Sequence, residues 1–526
     1  MLIAVVGCGV SGLTAIKNCL EEFGGEADVV AFERESCLGG LWNYRPDDLT
    51  VTSVMENTKT NFCKHRMGFT DFPFPDDAPL WLPASSMAKH LNDYAEHFNL
   101  LPNITFNTVV TRVDFAPTSD PNTVKFEVTH KSRLSGEESS VIVDRVVIAS
   151  GALSQPDIPN IPGIEHFTGT VSHTSGFRNG IPFKGKNVLV VGSRTSAADT
   201  CALLDSGDAS KIYMSHRGGV QLIPRNWNGK PIDHLLTRRL ANLQALMEKV
   251  WPYSSGHLHN IVVNVVRSTT FKYKKEWKFT PTPDTRSSVP TITDDLYDLL
   301  ASGRVEPVSG ISHINPDSSI TLSDGRELSS IDAIIFATGY SLDFGTAVPF
   351  SQAILDRMGY DPQTPDTIPR YRYTLSVGLP ELCVLTQMFA PSGYPLMADI
   401  RAMWLAGVWS GNVKLPTDKN MLRVSKQEEK WVKGLQKFGD ATPGSMPIEI
   451  LFLMAVEAGC EDDHMFWFGS WAGWKWWWNH RALTSLLLDG PDIPASHRLR
   501  GRKKWDGAED AIWKANGKVP PQRTKK

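Results

Sequence analysis

The chain has 526 residues and a net charge of −3, so it is long enough for two or three domains and has no general attraction for nucleic acid. Hydrophobic content of 41% and charged content of 21% are typical of a globular protein. The seven cysteines are scattered without a CxxC pair, which argues against a disulfide framework or a metal site. A reducing compartment, the cytoplasm, fits this pattern best.

The N-terminal segment predicts a strand, a glycine turn and a helix. An apolar run from Leu2 leads into GCGVSG and then into a helical pattern. The turn supplies the first group of candidate binding residues: Gly7, Cys8, Gly9, Val10, Ser11 and Gly12. No basic stretch precedes the strand, so we expect no signal peptide, and no apolar run is long enough to span a membrane.

Glu33 ends the next predicted strand, DVVAFER. In a Rossmann unit the helix N-terminus holds a pyrophosphate, and an acid about twenty residues further on receives the ribose hydroxyls. A glycine turn without a ligand is the alternative, but the acid Glu33 at the expected distance along the chain favours a dinucleotide site. A second glycine turn, GGLW at 39–42, strengthens this interpretation, because Gly40, Leu41 and Trp42 are expected to approach the same cofactor.

A second strand–turn–helix pattern follows at 186–204, about 185 residues after the first. Its turn has arginine at the middle glycine position and alanine at the last. The candidate cofactor-binding residues here are Gly192, Arg194, Thr195, Ser196, Ala197 and Asp199. The next strand ends on Arg217 rather than on an acid, and this arginine suits a ribose 2′-phosphate, with a solvated strand-end charge as the alternative.

Two such units predict one flavin and one nicotinamide nucleotide. Two further strands, VVIASG at 146–151 and IIFATGY at 334–340, end in small residues that let a chain pass close to a ligand. Thr338 and Gly339 are therefore candidate binding residues. A plain turn from strand to loop is the alternative for each.

The stretch FTGTVSHTSGF at 167–177 resembles the FxGxxxHxxx(Y/F) fingerprint of the flavin-containing monooxygenases, which are class B flavoprotein monooxygenases. TNFCKHRMGFTDFPFP at 60–75, GGLW, FATGY and SHRLRGRKKWDGAEDAI are also similar to segments of that family, in its eukaryotic form. The resemblance covers essentially the whole chain.

The resemblance implies an α/β fold with two Rossmann-like dinucleotide-binding domains, the NADP domain nested in the FAD domain. We expect the first part of the FAD domain at 1–165 and its second part, with the C-terminal segment, at 336–526. The NADP domain would occupy 166–335 and carry a helical insertion at about 226–290.

The resemblance also implies the chemistry: NADPH reduces FAD, O₂ forms a C4a-hydroperoxyflavin, and a soft amine nitrogen or sulfide takes one oxygen. Thr60, Asn61 and Phe62 match the family's flavin-contacting segment, and Asn61 is the candidate catalytic residue. An amide can donate a hydrogen bond there without adding charge. The alternative is that Asn61 only caps the turn.

His173 is expected to be structural rather than catalytic, with Phe167, Gly169 and Phe177 packing the crossing between the two units. Related Baeyer–Villiger enzymes continue this fingerprint with Trp-Pro, whereas this chain has Phe177-Arg178, which favours oxygenation of a heteroatom. Lys64 and Asp71 are interpreted as a surface charge and a turn former.

Several functions stay open beside this one. The nearest are a Baeyer–Villiger or N-hydroxylating monooxygenase and an uncoupled NADPH oxidase that produces H₂O₂. A disulfide reductase would need a redox cysteine pair after the first unit, and a binding-only protein would not need both cofactor sites. Expected partners are a small amine or sulfide and O₂, with no nucleic acid, and the resemblance favours a homodimer. Substrate specificity is expected from the insertion and from 380–415.

Two C-terminal segments are harder to interpret. MFWFGSWAGWKWWW at 465–478 is expected to be an aromatic core or interface segment, with peripheral membrane contact as the alternative. The basic residues of the last thirty positions are expected to be solvated.

Overall fold

A computed structural model describes residues 1–120, 122–251, 253–341, 350–364, 368–385, 392–439, 446–460 and 471–521. Within these ranges the chain is mixed α/β. The strands are β1 (Leu2–Val6), β2 (Asp28–Phe32), β3 (Ile104–Thr105), β4 (Thr108–Phe115), β5 (Phe126–Ser132), β6 (Glu138–Val143), β7 (Arg145–Ile148), β8 (Gln155–Pro156), β9 (Thr170–His173), β10 (Asn187–Val191), β11 (Lys211–His216), β12 (Leu222–Ile223), β13 (Asn226–Trp227), β14 (Lys230–Pro231), β15 (Thr291–Ile292), β16 (Val305–Ser309), β17 (Ile311–Ile314), β18 (Ile320–Leu322), β19 (Glu327–Leu328), β20 (Ala333–Phe336), β21 (Tyr340–Ser341), β22 (Arg370–Tyr371), β23 (Leu375–Ser376) and β24 (Leu382–Val384).

The α-helices are α1 (Val10–Phe23), α2 (Lys64–Met67), α3 (Ala84–His97), α4 (Thr195–Ser206), α5 (Arg238–Val250), α6 (Ser255–Thr270), α7 (Leu296–Ser302), α8 (Gln352–Met358), α9 (Tyr394–Trp409), α10 (Asp418–Leu435), α11 (Ile448–Glu457), α12 (Trp471–Asn479), α13 (Arg481–Asp489) and α14 (Ala508–Ala515). Short 3₁₀ turns at Gly40–Trp42 and Ile232–Leu235 also matter for the site.

The first large sheet has the strand order β22-β23-β24-β7-β1-β2-β3. Its centre is parallel, because β1 pairs in parallel with both β2 and β7. The central strand LIAVV is rich in β-branched residues and buried, as a parallel strand covered on both faces requires. Residues 2–148 and 370–384 both contribute strands, so this sheet is assembled from two separate parts of the chain.

The second large sheet has the order β16-β11-β10-β20-β9, and all of its pairs are parallel. Its strands lie between residues 170 and 336, inside the gap between the two parts of the first sheet. Two dinucleotide-binding folds, one nested in the other, are therefore confirmed. The domain boundaries at 165 and 335 stay a prediction. Helices α5 and α6 occupy the predicted insertion.

A buried charge network crosses the first domain. Lys17 on α1 pairs with Asp71, and Arg498 reaches the same Asp71 oxygen at 3.2 Å. Asp399 on α9 accepts hydrogen bonds from Asn18 Nδ2 at 2.7 Å and from the Thr70 backbone at 3.0 Å. The network therefore fixes α1, the segment around residue 70, α9 and the C-terminal segment relative to one another.

The charges in this network stabilise one another. Burial alone would lower the pKa of Lys17, but Asp399 and Asp71 outweigh it, so the pKa of this ammonium is raised. Burial would raise the pKa of Asp399, but Lys17 and Arg498 lower it overall. The interpretation of Asp71 as a mere turn former is therefore wrong, because this carboxylate is buried between two cations.

The basic C-terminal residues are also more than a solvated tail. Arg502 and Lys503 pair with Glu22 at 2.8 and 2.7 Å, and these contacts hold the pKa of Glu22 at about 2 despite the opposing effect of burial. Together with Arg498, they attach this segment to α1 and to the segment around residue 70. The expectation of a solvated tail is wrong for Arg498 and Lys503, which are buried, whereas Arg502 is exposed. Residues 522–526 lie outside the described residues.

The Trp-rich segment is only partly described, because 461–470 lie outside the described residues. On α12, Trp471, Trp474 and Trp478 are 85%, 43% and 67% exposed, so the expectation of an aromatic core is wrong for them. An interface or membrane-contact role stays a prediction. Among the described helices, none combines the length and apolarity that crossing a membrane requires.

Replacing Lys17 with methionine tests the buried network. The variant keeps the side-chain volume but leaves two carboxylates facing Arg498 alone, and we expect a loss of about 3–5 kcal/mol in stability. Thermal unfolding of the flavin-loaded protein measures this. Lys89→Met is the matched control, because Lys89 forms a solvent-exposed pair with Asp93 and its loss should change little. Equal melting temperatures for the two variants would contradict the assignment.

Candidate functional site

The first glycine turn joins β1 to α1 without room for side chains. Gly7 has a φ of +92°, and a Cβ there would lie 2.8 Å from the carbonyl oxygen of Ala149 at the end of β7. A Cβ on Gly12 would lie 1.9 Å from the carbonyl oxygen of Gly7. The N-terminus of α1 is therefore held at the carboxyl edge of the sheet, where doubly wound folds bind their ligands.

The two glycine turns of the first domain face each other. A Cβ on Gly40 would lie 3.4 Å from Cα of Gly9. Gly9 caps the N-terminus of α1, and Gly40 begins the 3₁₀ turn Gly40–Trp42. Side chains at either position would fill the space between the turns, so the backbone present here fits the pyrophosphate of FAD at a helix N-terminus.

Three side chains of the first turn are directed away from this space. Cys8 is fully buried, and Val10 is buried in the same core cluster. Ser11 Oγ shares a hydrogen bond with the Tyr394 hydroxyl of α9. These predicted binding residues would therefore contact a cofactor through their backbone.

Glu33 follows β2 at the same edge of the sheet and is buried. Its Oε2 accepts from the backbone N–H of Cys8 at 2.8 Å, and its Oε1 accepts from Glu35 at 3.0 Å. These bonds fix the carboxylate beside the turn, and each oxygen keeps a lone pair for a further donor. The position suits the predicted role of receiving ribose hydroxyls.

The predicted segment at 60–62 converges with Trp42 of the second glycine turn. Trp42 and Phe62 pack on one apolar cluster, formed by Met67, Phe74, Leu82 and Met87. Leu41 belongs to the same turn, and its carbonyl accepts from Val54 at 3.1 Å.

Thr60 builds the turn that presents Asn61. Thr60 Oγ1 donates to the carbonyl of Phe62 at 2.7 Å and accepts from the backbone N–H of Leu82 at 3.2 Å. Asn61 is exposed, and its amide makes no hydrogen bond within the described part of the chain. The turn-capping alternative for Asn61 therefore has no support, since Thr60 supplies those bonds.

The second glycine turn repeats the close approach of the first. Gly192 has a φ of +134°, and a Cβ there would lie 2.5 Å from the carbonyl oxygen of Ala337 after β20. Arg194 caps α4 with a φ of −89°, close to the −76° of Gly9 in the first turn. Arginine therefore fits this position without backbone strain, and its guanidinium donates to Ser288 Oγ at 3.3 Å.

The remaining residues of the second turn differ in accessibility. Ser196 is exposed, Thr195 and Asp199 are half-buried, and Ala197 is buried against the core. Arg217 directly follows β11 and is exposed, with its Cγ 3.3 Å from the ideal Cβ position of Gly310. In the second sheet β11 is the counterpart of β2, and it is followed by a cation instead of an acid.

Asp199 lies in an unusual electrostatic environment. Burial raises the pKa of its carboxyl to about 7, Asp295 and Asp294 add to this rise, and Arg225 opposes it. The Arg225 guanidinium pairs with Asp294 at 3.0 Å and donates to the carbonyl of Thr60 at 3.4 Å. Arg225, which the sequence interpretation missed, therefore connects the two predicted cofactor sites next to Asn61.

Thr338 and Gly339 follow β20 of the second large sheet and bond to the segment after β8. Thr338 Oγ1 donates to the carbonyl of Asp157, and the Asp157 backbone N–H donates to the carbonyl of Gly339 at 3.0 Å. The Thr338 hydroxyl is therefore engaged within the chain. A cofactor contact by these two residues stays a prediction.

The fingerprint residues are arranged for packing. A Cβ on Gly169 would lie 2.4 Å from the carbonyl oxygen of Asp332. His173 Nδ1 accepts from the backbone N–H of Ser175 at 3.0 Å, and its ring meets Tyr340 edge-on with 5.2 Å between centroids. Burial lowers the pKa of His173, which keeps the ring neutral at pH 7. This geometry agrees with a structural role.

Arg178 is a buried cation that the sequence interpretation assigned no contacts. Its guanidinium donates to five backbone carbonyls, at 2.6–3.2 Å, and these belong to Arg45, Asp48, Val51, Ser175 and Phe177. Arg178 therefore holds the loop at 45–51, after the GGLW turn, close to the fingerprint segment at 167–177 by hydrogen bonds. Long-range contacts of this kind leave no local sequence signal.

Lys64 also does more than carry a surface charge. Its ammonium donates to the carbonyls of Asp76 and Ala78 at 2.6 and 2.8 Å. The interpretation as a surface charge is therefore incomplete, because Lys64 also holds the loop that follows DFPFP against α2.

Comparison with known proteins agrees with this geometry. A family model described as "FMO-like: Flavin-binding monooxygenase-like" matches residues 1–521. Monooxygenase aurF of Gibberella zeae is 30% identical over 520 residues, which cover 97% of this chain and 96% of that protein.

Two solved structures share the fold. S-allyl-L-cysteine S-oxygenase from Allium sativum matches with a TM-score of 0.63 and 19% identity over 98% of each chain. Cyclohexanone monooxygenase from Rhodococcus sp. Phi1, bound to NADP⁺, matches with a TM-score of 0.61 and 17% identity over 87% of this chain and 97% of that one.

The raised pKa of Asp199 predicts a pH effect on nucleotide binding. Below pH of about 7 its carboxyl is neutral, and above it the carboxylate repels the nucleotide phosphates, so the NADPH KM should rise with pH. Steady-state kinetics across this range measure the effect. Asp199→Asn should flatten the rise, whereas Asp205→Asn, on the same helix, should keep the wild-type profile. An unchanged profile in Asp199→Asn would refute the assignment.

Proposed function

Because the chain belongs to the flavin-binding monooxygenase-like family, it is a flavin-dependent monooxygenase that uses FAD and NADP(H), and we propose that it oxygenates a soft nitrogen or sulfur of a small molecule. The observation that carries the proposal is the exposed amide of Asn61 beside Phe62, which packs with Trp42 of the GGLW turn on one apolar cluster. Arg225 bonds the residue before this amide and also faces Asp199 of the second turn.

The first domain would hold FAD. Backbone N–H groups at the N-terminus of α1 suit the pyrophosphate, and Glu33 suits the ribose. The bound flavin, reduced by NADPH, supplies the activation of O₂. The packing of Trp42 and Phe62 on one cluster supports a role for both in placing the flavin ring beside Asn61.

The second domain would hold NADP(H). Gly192 brings the backbone to the end of β20, while Arg194 and Arg217 place positive charge near the turn. A cation after β11 favours a 2′-phosphate, which the acid after β2 would repel. The proposed domain limits are those of the sequence, with 166–335 as the NADP domain.

Asn61 would act by donating hydrogen bonds. A neutral amide can stabilise oxygen atoms that gain negative charge, and it adds no charge of its own that would drive them off as H₂O₂. A nucleophilic nitrogen or sulfur needs no general base. This agrees with the structural role of His173, whose Nδ1 accepts a hydrogen bond from the Ser175 backbone. Asn61 is therefore the proposed catalytic residue.

Phe177-Arg178 supports heteroatom oxygenation over ketone oxygenation. Arg178 donates five hydrogen bonds to backbone carbonyls, and a proline at this position could donate none of them. The loop at 45–51 would then be held differently. The match to an S-oxygenase supports sulfur as a target, while the match to cyclohexanone monooxygenase keeps ketone oxygenation as the second candidate. N-hydroxylation and uncoupled H₂O₂ production are also compatible with this fold.

A substrate panel separates these activities. Tertiary amines and thioethers should raise NADPH consumption and give N-oxides or sulfoxides, while ketones and diamines should not. The insertion and 380–415 are proposed to set specificity, although 386–391 lie outside the described residues. A cytoplasmic homodimer is proposed on the cysteine pattern and the family resemblance.

Arg217→Ala tests the choice of nucleotide. Loss of a charge-assisted bond to the 2′-phosphate should raise the NADPH KM at least about tenfold, with little change for NADH. Lys211→Ala is the control, because it removes a cation from the opposite end of β11. If the Arg217 variant weakened both nucleotides equally, the residue would be structural and the assignment wrong.

Asn61→Asp tests the proposed catalytic role. A carboxylate here would repel oxygen atoms that gain negative charge, so product per NADPH should fall at least about tenfold while H₂O₂ rises. Reduction of the flavin by NADPH should persist, because hydride transfer depends on the two nucleotide sites.

Asn61→Ser serves as the neutral control. If charge is the cause, the product formed per NADPH should fall less in this variant than in Asn61→Asp. Full product yield in Asn61→Asp would show that Asn61 has no part in oxygen transfer.

A further inference from the structure

A cysteine and two histidines meet beside the segment that carries Asn61. Cys63 caps α2, His65 lies in its first turn, and His234 belongs to the 3₁₀ turn Ile232–Leu235. Cys63 Sγ lies 3.9 Å from His65 Nδ1 and 3.4 Å from His234 Nε2, and the two nitrogens are 3.4 Å apart. Three ligand atoms of the types that zinc prefers thus point at one another.

These separations match a tetrahedral metal site. With Zn–S of about 2.3 Å and Zn–N of about 2.0–2.1 Å, a sulfur and a nitrogen ligand lie about 3.5 Å apart and two nitrogens about 3.3 Å apart. A cation at the centre of the three atoms would therefore require only small shifts of the side chains. A hydrogen bond between only two of these groups would not require the third group to lie within the same distance of both.

Asp233 supplies a second, independent sign of a ligand. Its carboxylate is buried, and Oδ2 accepts from the backbone N–H of Cys63 at 2.7 Å. Its Oδ1 is buried without a hydrogen-bond partner among the described residues. A thiolate and this carboxylate together balance the charge of a divalent cation, whereas without one the orphan oxygen is costly to bury.

The neighbouring cations Arg66 and Lys64 donate to backbone carbonyls. The Arg66 guanidinium lies 5.1 Å from the Phe62 ring centroid, and its Nη1 donates to the Asp233 carbonyl at 3.2 Å. Lys64 donates to loop carbonyls, as described above.

We propose that Cys63, His65 and His234 bind a divalent cation of the zinc class, with the fourth position left for water and the Asp233 carboxylate next to the ligand Cys63. The sequence predicts no metal site, because Cys63 and His234 are 171 residues apart and follow no spacing rule. The cation would cross-link α2 to the insertion and so hold the segment that presents Asn61. Because the three ligands come from two segments, the cation would stabilise the contact between those segments.

Metal analysis of the FAD-loaded protein tests the proposal. After chelator treatment and dialysis against micromolar zinc, wild-type protein should retain one zinc per chain and unfold at a higher temperature than the metal-free form. Cobalt in place of zinc should give the absorption bands of tetrahedral coordination at longer wavelengths than the flavin. Magnesium should give neither effect, because it prefers six oxygen ligands.

Substitutions identify which residues bind the zinc. Cys63→Ser and His234→Gln should bind zinc at least about 100-fold more weakly, and Asp233→Asn about 10–100-fold more weakly. Cys37→Ser is the control, because this thiol is exposed and lies outside the cluster. FAD content identifies any variant that fails to fold, and His65→Gln then replaces it. Wild-type protein without zinc, or zinc retained in both Cys63→Ser and His234→Gln, would overturn the proposal.

Discussion

The pairing of two cations with two carboxylates inside the first domain positions the parts of the site that are far apart in sequence. Lys17 lies on the helix that begins at the first glycine turn, and Asp71 follows the segment of Asn61. Asp399 and Arg498 attach α9 and the C-terminal segment to the same point. Removing one partner would leave a buried charge uncompensated, so the four segments must come together as a unit.

The two proposed nucleotide sites share one backbone geometry and differ in charge. In each domain a glycine at the end of the first strand lies against the carbonyl that follows a neighbouring parallel strand, Ala149 in one and Ala337 in the other. The acid Glu33 follows the next strand of the first domain, and Arg217 follows that of the second. The shared geometry supports the proposal that each site binds a dinucleotide, and the charge difference supports the proposal that the two nucleotides differ.

Local sequence patterns predicted both strand–turn–helix units and the helical insertion, because each depends on residues close together in the chain. Contacts between distant segments were not predictable. The environments of Asp71, Lys64 and the C-terminal basic residues were misjudged for this reason, since their partners lie on other elements. The same holds for Arg225, Arg178 and the Cys63–His65–His234 cluster, which only the folded chain brings together.

The proposed reaction is the transfer of one atom of O₂ to a nucleophilic nitrogen or sulfur. Turnover with NADPH under ¹⁸O₂, over a panel of tertiary amines, thioethers and ketones, measures this directly by mass spectrometry of the products. Heteroatom oxygenation predicts one labelled oxygen in each N-oxide or sulfoxide formed and no labelled ester from ketones. Label found only in H₂O₂ for every compound, or only in esters from ketones, would contradict it.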